Sequence, residues 1–409
     1  RGVLGDTAGE RPRPHLGSDA LAGKKVARSR GDKVTLSESL YPNARCIDGS
    51  QGAYYINHAT SLAGAMKYYI FRQGGGFCRD KDSCYQRSKG KLGSSKAEFW
   101  KTHLNLLDEG VGHKNMGFSR DPTENPLMHD WNHIFVIYCD GGYFGGSNAT
   151  PTVAGDRQLH FNGADILDAV LWDLAEKYAL PEAEDVVIGG CSAGGISTYH
   201  SLDWTRAHPA VPRGARVAGF PCSGYFMATA SWWPDAKYAS YNLHNLSRGM
   251  QVRCLADHRG RENEFKCLIP EVNAHYLETP LFMWESQYDQ YQLLSQDDVV
   301  CWESGCAHAH AEAVVRSMRS VWARLPHVGG FVSSCVHHCE ESQQGDVENI
   351  APIDGLLPLQ AFARWYTSYF AGVGNAASRL WHQNESFPCL RCCPQGSSGP
   401  RRSLTHGLE

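Results

Sequence analysis

The sequence lacks the features that would place it in a membrane or on a nucleic acid. No run of apolar residues approaches the ~18 that a helix needs to span a bilayer, which excludes a transmembrane helix. Basic and acidic side chains nearly balance, 39 against 43, and no basic run is interleaved with aromatic residues. The formal charge of −4 argues against a nucleic-acid partner.

The chain also shows no internal repeat, no domain linker and no apolar leader. It starts at Arg1, and its first residues contain no apolar core of a signal peptide. We therefore expect that a signal peptide has been removed or lies outside a partial sequence. A chain of 409 residues without a linker is predicted to form one large domain.

Cysteine, by contrast, is abundant. The 15 cysteines are spread along the whole chain, and Asn-x-Ser/Thr sequons begin at Asn148, Asn245 and Asn384. Both features favour an oxidising compartment, with disulfide bonds and glycosylation of these asparagines. Because the cysteine count is odd, at least one thiol must stay outside any disulfide within the chain. We expect a secreted or extracellular protein.

Short apolar runs alternate with amphipathic stretches from Cys46 onward, which predicts an α/β fold with a mostly parallel sheet flanked by helices. Gly163–Tyr178 has the apolar spacing of a helix. The predicted strands are Ala65–Phe71, His133–Cys139, Asp185–Ile188, Arg216–Phe220 and Pro280–Glu285. The Gly-, Pro- and Arg-rich ends, 1–40 and 386–409, are predicted to be poorly ordered around a domain at 41–385.

The most informative segment is Gly190-Cys191-Ser192-Ala193-Gly194, a Gly-x-Ser-x-Gly motif. It follows an apolar strand at Asp185–Gly189 and precedes a helical stretch from about Gly195 to Ala207. Strand, sharp turn and helix are the context of the nucleophile elbow in α/β-hydrolases, where glycines leave room around an exposed serine. The segment therefore predicts a disulfide-braced, α/β-hydrolase-like fold with Ser192 as a nucleophile.

A serine nucleophile needs a histidine base and an acid that orients this base. The preferred acid is Asp289, because it follows the strand predicted at Pro280–Glu285 and so lies at the edge of the sheet where such sites form. Asp297 and Asp298 are competitors. Asp289 could instead cap the helix that follows it.

The preferred base is His338, in a late loop bracketed by Cys335 and Cys339, because disulfides would hold such a loop in a defined geometry. The chain has 19 histidines, so a histidine alone carries little information. On its chemistry, His337 is an equal rival. The order Ser, Asp, His is the one that α/β-hydrolases use.

Backbone amides are expected to stabilise the oxyanion. The first is the N–H of Ala193, directly after the serine. The second comes from the glycine run Gly74-Gly75-Gly76 before Phe77, because a loop without side chains lets its amides approach a substrate.

Some spacings also suit zinc, which makes a zinc hydrolase an alternative. In a cysteine-rich chain with sequons, disulfides are the favoured use, and we predict no metal and no cofactor. Cys191, beside the serine, is expected to be a buried packing residue. The ligand-like sets are Cys301-x4-Cys306 with His308 and His310, and Cys335-x3-Cys339.

With these motifs in order, the chain resembles the pectin acetylesterase/Notum family of carboxylesterases over most of residues 46–370. The resemblance rests on a series of segments: Cys46-Ile47-Asp48-Gly49-Ser50 with Ala53-Tyr54-Tyr55; Gly74-Gly75-Gly76-Phe77-Cys78 with Cys84; Tyr138-Cys139-Asp140-Gly141 with Gly145-Gly146-Ser147; Gly190–Gly195; Pro280-Leu281-Phe282 with Tyr288-Asp289; and Ser334–Cys339.

The resemblance implies a triad of Ser192, Asp289 and His338, and it favours His338 because the family's histidine directly precedes the second cysteine. It implies an oxyanion hole made by the amides of Gly75, Gly76 and Ala193. It also implies the disulfides Cys78–Cys84 and Cys46–Cys139, and a two-step acyl transfer to water without a cofactor.

Two departures from the family bear on the substrate, an O-acylated glycan or another ester. Phe77 stands where plant members have Trp, so that a smaller aromatic platform remains to bind substrate. Gly76 stands where Notum has a Trp in its fatty-acyl pocket, which favours short acyl groups and thus deacetylation of a polysaccharide such as pectin. The alternatives are Notum-like removal of a fatty acyl group from a protein, and a catalytically silent, secreted glycan-binding protein.

Overall fold

The computed structural model describes residues 29–107, 116–228, 232–294, 304–339, 350–373, 379–389 and 391–393. The expectations for Asp297, Asp298, Cys301 and the outermost parts of both ends concern residues outside these ranges.

The described strands and helices alternate through most of the chain. The strands are β1 Arg30–Thr35, β2 Ala53–Asn57, β3 Lys67–Arg72, β4 His103–Asn105, β5 Asn132–Val136, β6 Thr152–Ala154, β7 Arg157–Leu159, β8 Asp185–Cys191, β9 Arg216–Cys222, β10 Leu281–Ser286, β11 Val328–Ser333 and β12 Leu380–His382. The helices are α1 Lys81–Arg87, α2 Gly163–Tyr178, α3 Ala193–Ala207, α4 Trp232–His244, α5 Val252–Asp257, α6 Arg261–Glu264, α7 Pro270–Asn273, α8 Gln290–Leu294, α9 Ser304–Arg324 and α10 Pro358–Phe370.

Ten of these strands form one sheet in the order β12-β11-β10-β9-β8-β3-β5-β2-β1-β4. The strands from β12 to β5 run parallel, and β2, β1 and β4 extend the sheet in antiparallel pairing. Since the carboxyl ends of parallel strands meet at one edge, the loops after β3, β5, β8, β10 and β11 converge there. These loops carry every residue assigned to catalysis by sequence.

Helices cover both faces of the sheet. Gly329 and Gly330 are consecutive in β11 and therefore face opposite sides. A Cβ on Gly329 would lie 2.6 Å from Trp365 of α10, and a Cβ on Gly330 would lie 2.6 Å from Trp322 of α9. The predicted α/β fold, with a mostly parallel sheet between helices, is confirmed.

Both ends of the predicted domain need correction. Arg30–Thr35 forms β1, paired with β2 and β4, although residues 1–40 were expected to lack order. Its sequence is polar, and backbone pairing instead of apolar periodicity holds it in the sheet. Among the described residues of the tail after 386, Cys393 is tied to the domain by its bond to Cys335, and Cys389 is bonded to Cys392.

Among the described helices, none combines the length and apolarity needed to cross a bilayer.

Candidate active site

Ser192 stands in a tight turn between β8 and α3. Its backbone has φ +55° and ψ −121°, which is strained for a residue with a side chain. The surrounding glycines are required by close packing. A Cβ on Gly190 would lie 2.3 Å from the Gly194 carbonyl oxygen, and a Cβ on Gly194 would lie 2.0 Å from that of Arg72. The helix begins at Ala193, two residues earlier than predicted, so Ser192 occupies its N-cap position.

Asp289 and His338 form a close pair at the same edge of the sheet. The His338 Nδ1 lies 2.7 Å from the Asp289 Oδ2, with the aspartate fully buried and the histidine 9% exposed. The other carboxylate oxygen of Asp289 accepts a hydrogen bond from the Gln292 N–H at 2.9 Å, at the start of α8. Asp289 therefore caps the helix and holds the histidine at the same time, because each oxygen serves one purpose.

His337, the rival base, faces another direction. Its Nε2 lies 3.3 Å from the Ser333 hydroxyl, its ring packs near Trp284, and it is fully buried. Burial lowers the pKa of His337 to about 4. These contacts suit a neutral packing residue.

A disulfide joins the serine turn to the histidine loop. Cys191 directly precedes Ser192 and is bonded to Cys339, which directly follows His338, with a Cα–Cα distance of 5.8 Å. Cys191 is buried, as expected, but the interpretation as a packing residue missed its disulfide. The bond makes the chain segments of the serine and the histidine covalent neighbours, although 148 positions separate the two cysteines.

The glycine loop after β3 lies against the serine turn. A Cβ on Gly74 would lie 3.0 Å from the Ser192 Cβ, which brings this loop to the nucleophile. Gly75 and Gly76 have φ +137° and +63°, a region that disfavours other residues. Within the described chain, the N–H groups of Gly75, Gly76 and Ala193 donate to no protein acceptor.

Hydrogen bonds to two carbonyls hold the backbone of the glycine loop in place. The Gly75 carbonyl accepts a hydrogen bond from the Arg87 Nη2 at 2.5 Å, and the Gly76 carbonyl accepts one from the Tyr138 hydroxyl at 2.8 Å. In a trans peptide the N–H points opposite to the C=O. The Gly76 N–H is therefore turned away from Arg87.

Aromatic side chains surround the histidine and the glycine loop. Tyr291 stacks on His338 with ring centroids 5.1 Å apart, and Phe226 meets the same ring edge-on at 6.1 Å. Phe77, the predicted platform, is half-buried, and its ring centroid lies 5.3 Å from that of Tyr143.

Glu285, at the end of β10, supports the loop that packs on the histidine. Its Oε2 accepts a hydrogen bond from the Tyr225 N–H at 2.8 Å. Full burial, and then the charge of Asp289, raise the pKa of this carboxyl well above its ordinary value. In the same loop the Ser223 hydroxyl accepts a hydrogen bond from the Cys339 N–H at 2.9 Å.

The structure contains both disulfides that the family resemblance implies, Cys78–Cys84 and Cys46–Cys139. Cys78 also donates its N–H to the Gly141 carbonyl at 3.0 Å, which ties the glycine loop to the loop after β5. Cys222 is a buried thiol outside any disulfide, as the odd cysteine count requires.

Three of the four cysteines with zinc-like spacing lie among the described residues, and all three are in disulfides. Cys335 is bonded to Cys393, Cys339 to Cys191, and Cys306 is also disulfide-bonded. Two further groups have metal-like geometry, but their cysteines pair as Cys78–Cys84 beside His244 and as Cys254–Cys267 beside His258. None of these sulfurs is available as a thiolate ligand.

The three sequons differ in accessibility. Asn245 and Asn384 are exposed, whereas Asn148 is half-buried and its Nδ2 donates to the Leu243 carbonyl at 2.8 Å. A glycan would be attached at this nitrogen, so modification of Asn148 requires the hydrogen bond to break. Glycosylation remains a prediction, with Asn245 and Asn384 better placed for it.

The chain is also similar to known proteins. A family model described as pectinacetylesterase matches residues 26–375. The chain belongs to this family. The family predicted from the ordered motifs is therefore confirmed, and the match includes β1, which composition alone misses.

Among curated relatives, pectin acetylesterase 5 of Arabidopsis thaliana is 28% identical over 292 residues, covering 69% of this chain and 61% of that protein. The palmitoleoyl-protein carboxylesterase NOTUM of Schmidtea mediterranea is 28% identical over 263 residues, covering 61% of this chain and 47% of that protein. The alignments thus span about half to three fifths of these two relatives.

Among solved structures, the Wnt deacylase Notum from Drosophila superposes with a TM-score of 0.70 at 22% identity, covering 90% of this chain and all of that one. This likeness shows that the chain shares the α/β-hydrolase-like fold of that structure.

Sequence reasoning missed several residues of the site. Cys191 precedes Ser192 and Cys339 follows His338. Because a triad brings the serine and the histidine together, this adjacency could have indicated the bond between the two cysteines. Glu285 and Tyr291 gave no such signal, because their importance comes from contacts between loops that are distant in sequence.

Proposed function

We propose that this protein is a serine carboxylesterase that removes acyl groups, acetyl above all, from a polysaccharide such as pectin. The observation that carries the proposal is the 2.7 Å contact of His338 with buried Asp289, on a loop bonded through Cys339 to the residue before Ser192. Membership of the pectinacetylesterase family supports ester hydrolysis by this arrangement.

The three residues act in a fixed order. The ionised Asp289 is an acceptor only, so the His338 Nδ1 carries a proton and donates it to Oδ2. This tautomer leaves the Nε2 lone pair for the Ser192 proton. Ser192 then attacks the ester carbonyl and forms a tetrahedral intermediate.

The negative charge of this intermediate falls on the former carbonyl oxygen. The N–H groups of Gly75, Gly76 and Ala193 stabilise it, and loss of one such donor costs about 10²–10³ in turnover. The intermediate collapses to the acyl-enzyme as the alcohol leaves with the proton from His338. Water, activated by the same histidine, releases the acid and restores Ser192.

Two features favour a short acyl group on a glycan. Gly76 contributes no side chain to an acyl pocket, and Phe77 presents a half-buried ring beside the glycine loop. The disulfides and exposed sequons support secretion, where such glycans occur. Removal of a fatty acyl group from a protein, the activity named for the relative NOTUM, is the competing specificity.

The test is hydrolysis of p-nitrophenyl acetate, butyrate and octanoate, and of acetylated pectin, by wild type and Ser192→Ala. We expect Ser192→Ala to lose at least ~10³-fold in kcat, because it removes the nucleophile and keeps the fold. Ser320→Ala, at an exposed position of α9, is the matched control and should keep full activity.

Three other results would contradict the proposal. A preference for octanoate over acetate would overturn the deacetylase specificity in favour of a lipid deacylase. A folded but inactive wild type would favour the silent glycan-binding protein. Activity that EDTA abolishes and Ser192→Ala retains would restore the zinc hydrolase.

A further inference from the structure

Arg87 lies in the last turn of α1, the short helix that follows the glycine loop. The Asp80 carboxylate accepts the Ser83 N–H at 2.7 Å and so caps the start of this helix. The disulfide between Cys78 and Cys84 then bonds the helix to the end of the glycine loop. The helix therefore folds back along this loop, and its last turn meets the backbone of the loop.

Three neighbours hold the guanidinium of Arg87. Its Nη2 donates to the Gly75 carbonyl at 2.5 Å, its Nε donates to the Leu92 carbonyl at 3.1 Å, and its carbon lies 5.1 Å from the ring centroid of Tyr138. Among the described residues, no carboxylate forms an ion pair with Arg87. The acid of the adjoining loop, Asp140, instead accepts backbone N–H groups. The positive charge therefore acts directly on the peptide group whose carbonyl it binds.

The peptide between Gly75 and Gly76 depends on this contact for its orientation. Within the described chain, Arg87 is the donor that binds the Gly75 carbonyl, and a Gly-Gly peptide rotates at small cost because no Cβ obstructs it. In a trans peptide, the Gly76 N–H points opposite to that carbonyl. A Cβ on Gly76 would meet no atom within 4 Å outside its chain neighbours, so the loop borders open space here. The amide of Gly76 is therefore oriented by Arg87 at a point that a substrate can reach.

We infer that Arg87 is a positioning residue of the oxyanion hole, which orients the Gly76 N–H through the peptide it binds. Its charge also polarises this peptide, so that the N–H becomes a stronger donor as negative charge develops on the substrate oxygen. The inference rests on the proposed function, because Arg87 acts here through the oxyanion hole of the same esterase. It predicts that Arg87 stabilises the transition state and leaves binding of the ester unchanged.

The experiment measures kcat and KM for p-nitrophenyl acetate in wild type, Arg87→Met, Arg87→Gln and Arg87→Lys. In the two uncharged variants we expect kcat to fall about 10- to 100-fold, with KM within about twofold, because the donor remains but is no longer held. Arg87→Lys keeps the charge and a donor, so its kcat should stay within about fivefold of wild type. If Arg87→Met fails to fold, Arg87→Gln provides the same test.

Arg379→Met is the matched control. The Arg379 guanidinium also binds backbone carbonyls, those of Leu325 and Trp322 at 3.0 Å each, but Arg379 directly precedes β12 and so lies at the opposite edge of the sheet. We expect this variant to lower Tm and to keep kcat. Calorimetry and complete labelling by a fluorophosphonate show that each kcat refers to folded enzyme with an intact nucleophile.

Inhibition by trifluoroacetone separates transition-state stabilisation from structural damage. The Ser192 Oγ bonds to the carbonyl carbon of this ketone, its proton passes to the His338 Nε2, and the negative charge falls on the former carbonyl oxygen. This adduct resembles the tetrahedral intermediate, so Ki should rise by the same factor as kcat falls in each Arg87 variant.

Three results would overturn the inference: kcat and Ki within about twofold of wild type in both uncharged variants, a raised KM at unchanged kcat, or an equal loss of kcat in Arg379→Met. If wild type neither hydrolyses the ester nor binds the ketone, the proposed function itself fails. An active wild type with equally active Arg87 variants rejects this inference alone.

Discussion

Two neighbouring carboxyl groups, those of Asp289 and Glu285, have different roles in the site. Asp289 divides its two oxygens between His338 and the N–H of Gln292. Glu285, near the end of β10, is buried, and this burial together with the charge of Asp289 raises its pKa well above the ordinary value. The raised pKa favours the neutral form of Glu285, which can still accept from the Tyr225 N–H and adds no second negative charge beside Asp289. The contrast between the two residues arises from burial and partners, which sequence does not reveal.

This difference predicts the behaviour of two Glu285 variants. Glu285→Gln should keep kcat/KM within about twofold, because a neutral amide oxygen can still accept from the Tyr225 N–H. Glu285→Ala leaves that N–H buried without a partner, at a cost of about 1–3 kcal/mol in the free energy of unfolding. It should also lower kcat, since the loop of Ser223 and Phe226 supports His338. Steady-state kinetics and urea unfolding measure both effects. If the Gln variant lost as much activity as the Ala variant, the negative charge itself would be required.

At the scale of elements, the site is assembled by parallel strands that end at one edge. The central strands were predictable because their apolar runs are buried on both faces, as in Asp185–Cys191. Helix α2 was predicted with its observed bounds, since its apolar spacing is regular. Strand β1 was missed because its sequence, RGDKVT, has no such pattern. The link between Cys191 and Cys339 depends on pairing across the chain, which spacing cannot supply.

The bond between Cys191 and Cys339 should matter more than a local disulfide. On the chain-entropy relation, a closure of 148 positions stabilises by about 5 kcal/mol. The closure of 13 positions by Cys254–Cys267 gives about 3 kcal/mol. We therefore expect the double variant Cys191→Ala/Cys339→Ala to lower Tm more than Cys254→Ala/Cys267→Ala does.

Only the first pair should also lower kcat at a temperature where both variants are folded, because only this pair adjoins Ser192 and His338. Calorimetry and p-nitrophenyl acetate kinetics provide the two readouts. Equal kcat values in the two double variants would contradict a role of the bond in holding the site.

Across the whole molecule, buried titratable groups set the response to acid. Burial lowers the pKa of each of four histidines to about 4 and that of a fifth well below its ordinary value: His200, His244, His337, His382 and His133. Below pH ~6.5 these histidines bind protons in the unfolded chain but stay neutral in the folded one. The free energy of unfolding therefore falls as the pH approaches ~4. Asp140, whose pKa burial raises to about 6, acts in the opposite direction, as does Glu285. The histidines outnumber them.

We therefore predict that the free energy of unfolding decreases as the pH falls from about 6.5 to about 4. Each histidine shifted from 6.5 to about 4 contributes roughly 3 kcal/mol to this loss. His244→Gln can keep the donor to the Cys78 carbonyl but cannot titrate, so it should flatten the slope by about one proton. Urea unfolding at pH 7.5, 5.5 and 4.5 measures the slope for both proteins. Identical slopes would show that His244 does not contribute.

The disulfide beside the serine also connects activity to the history of each molecule. A chain that folds without an oxidant can still build its sheet from backbone pairing and apolar packing, since neither needs sulfur chemistry. It would lack the one covalent link between the turn of Ser192 and the loop of His338. We therefore expect the fraction of active molecules to depend on whether the polypeptide folded under oxidising conditions.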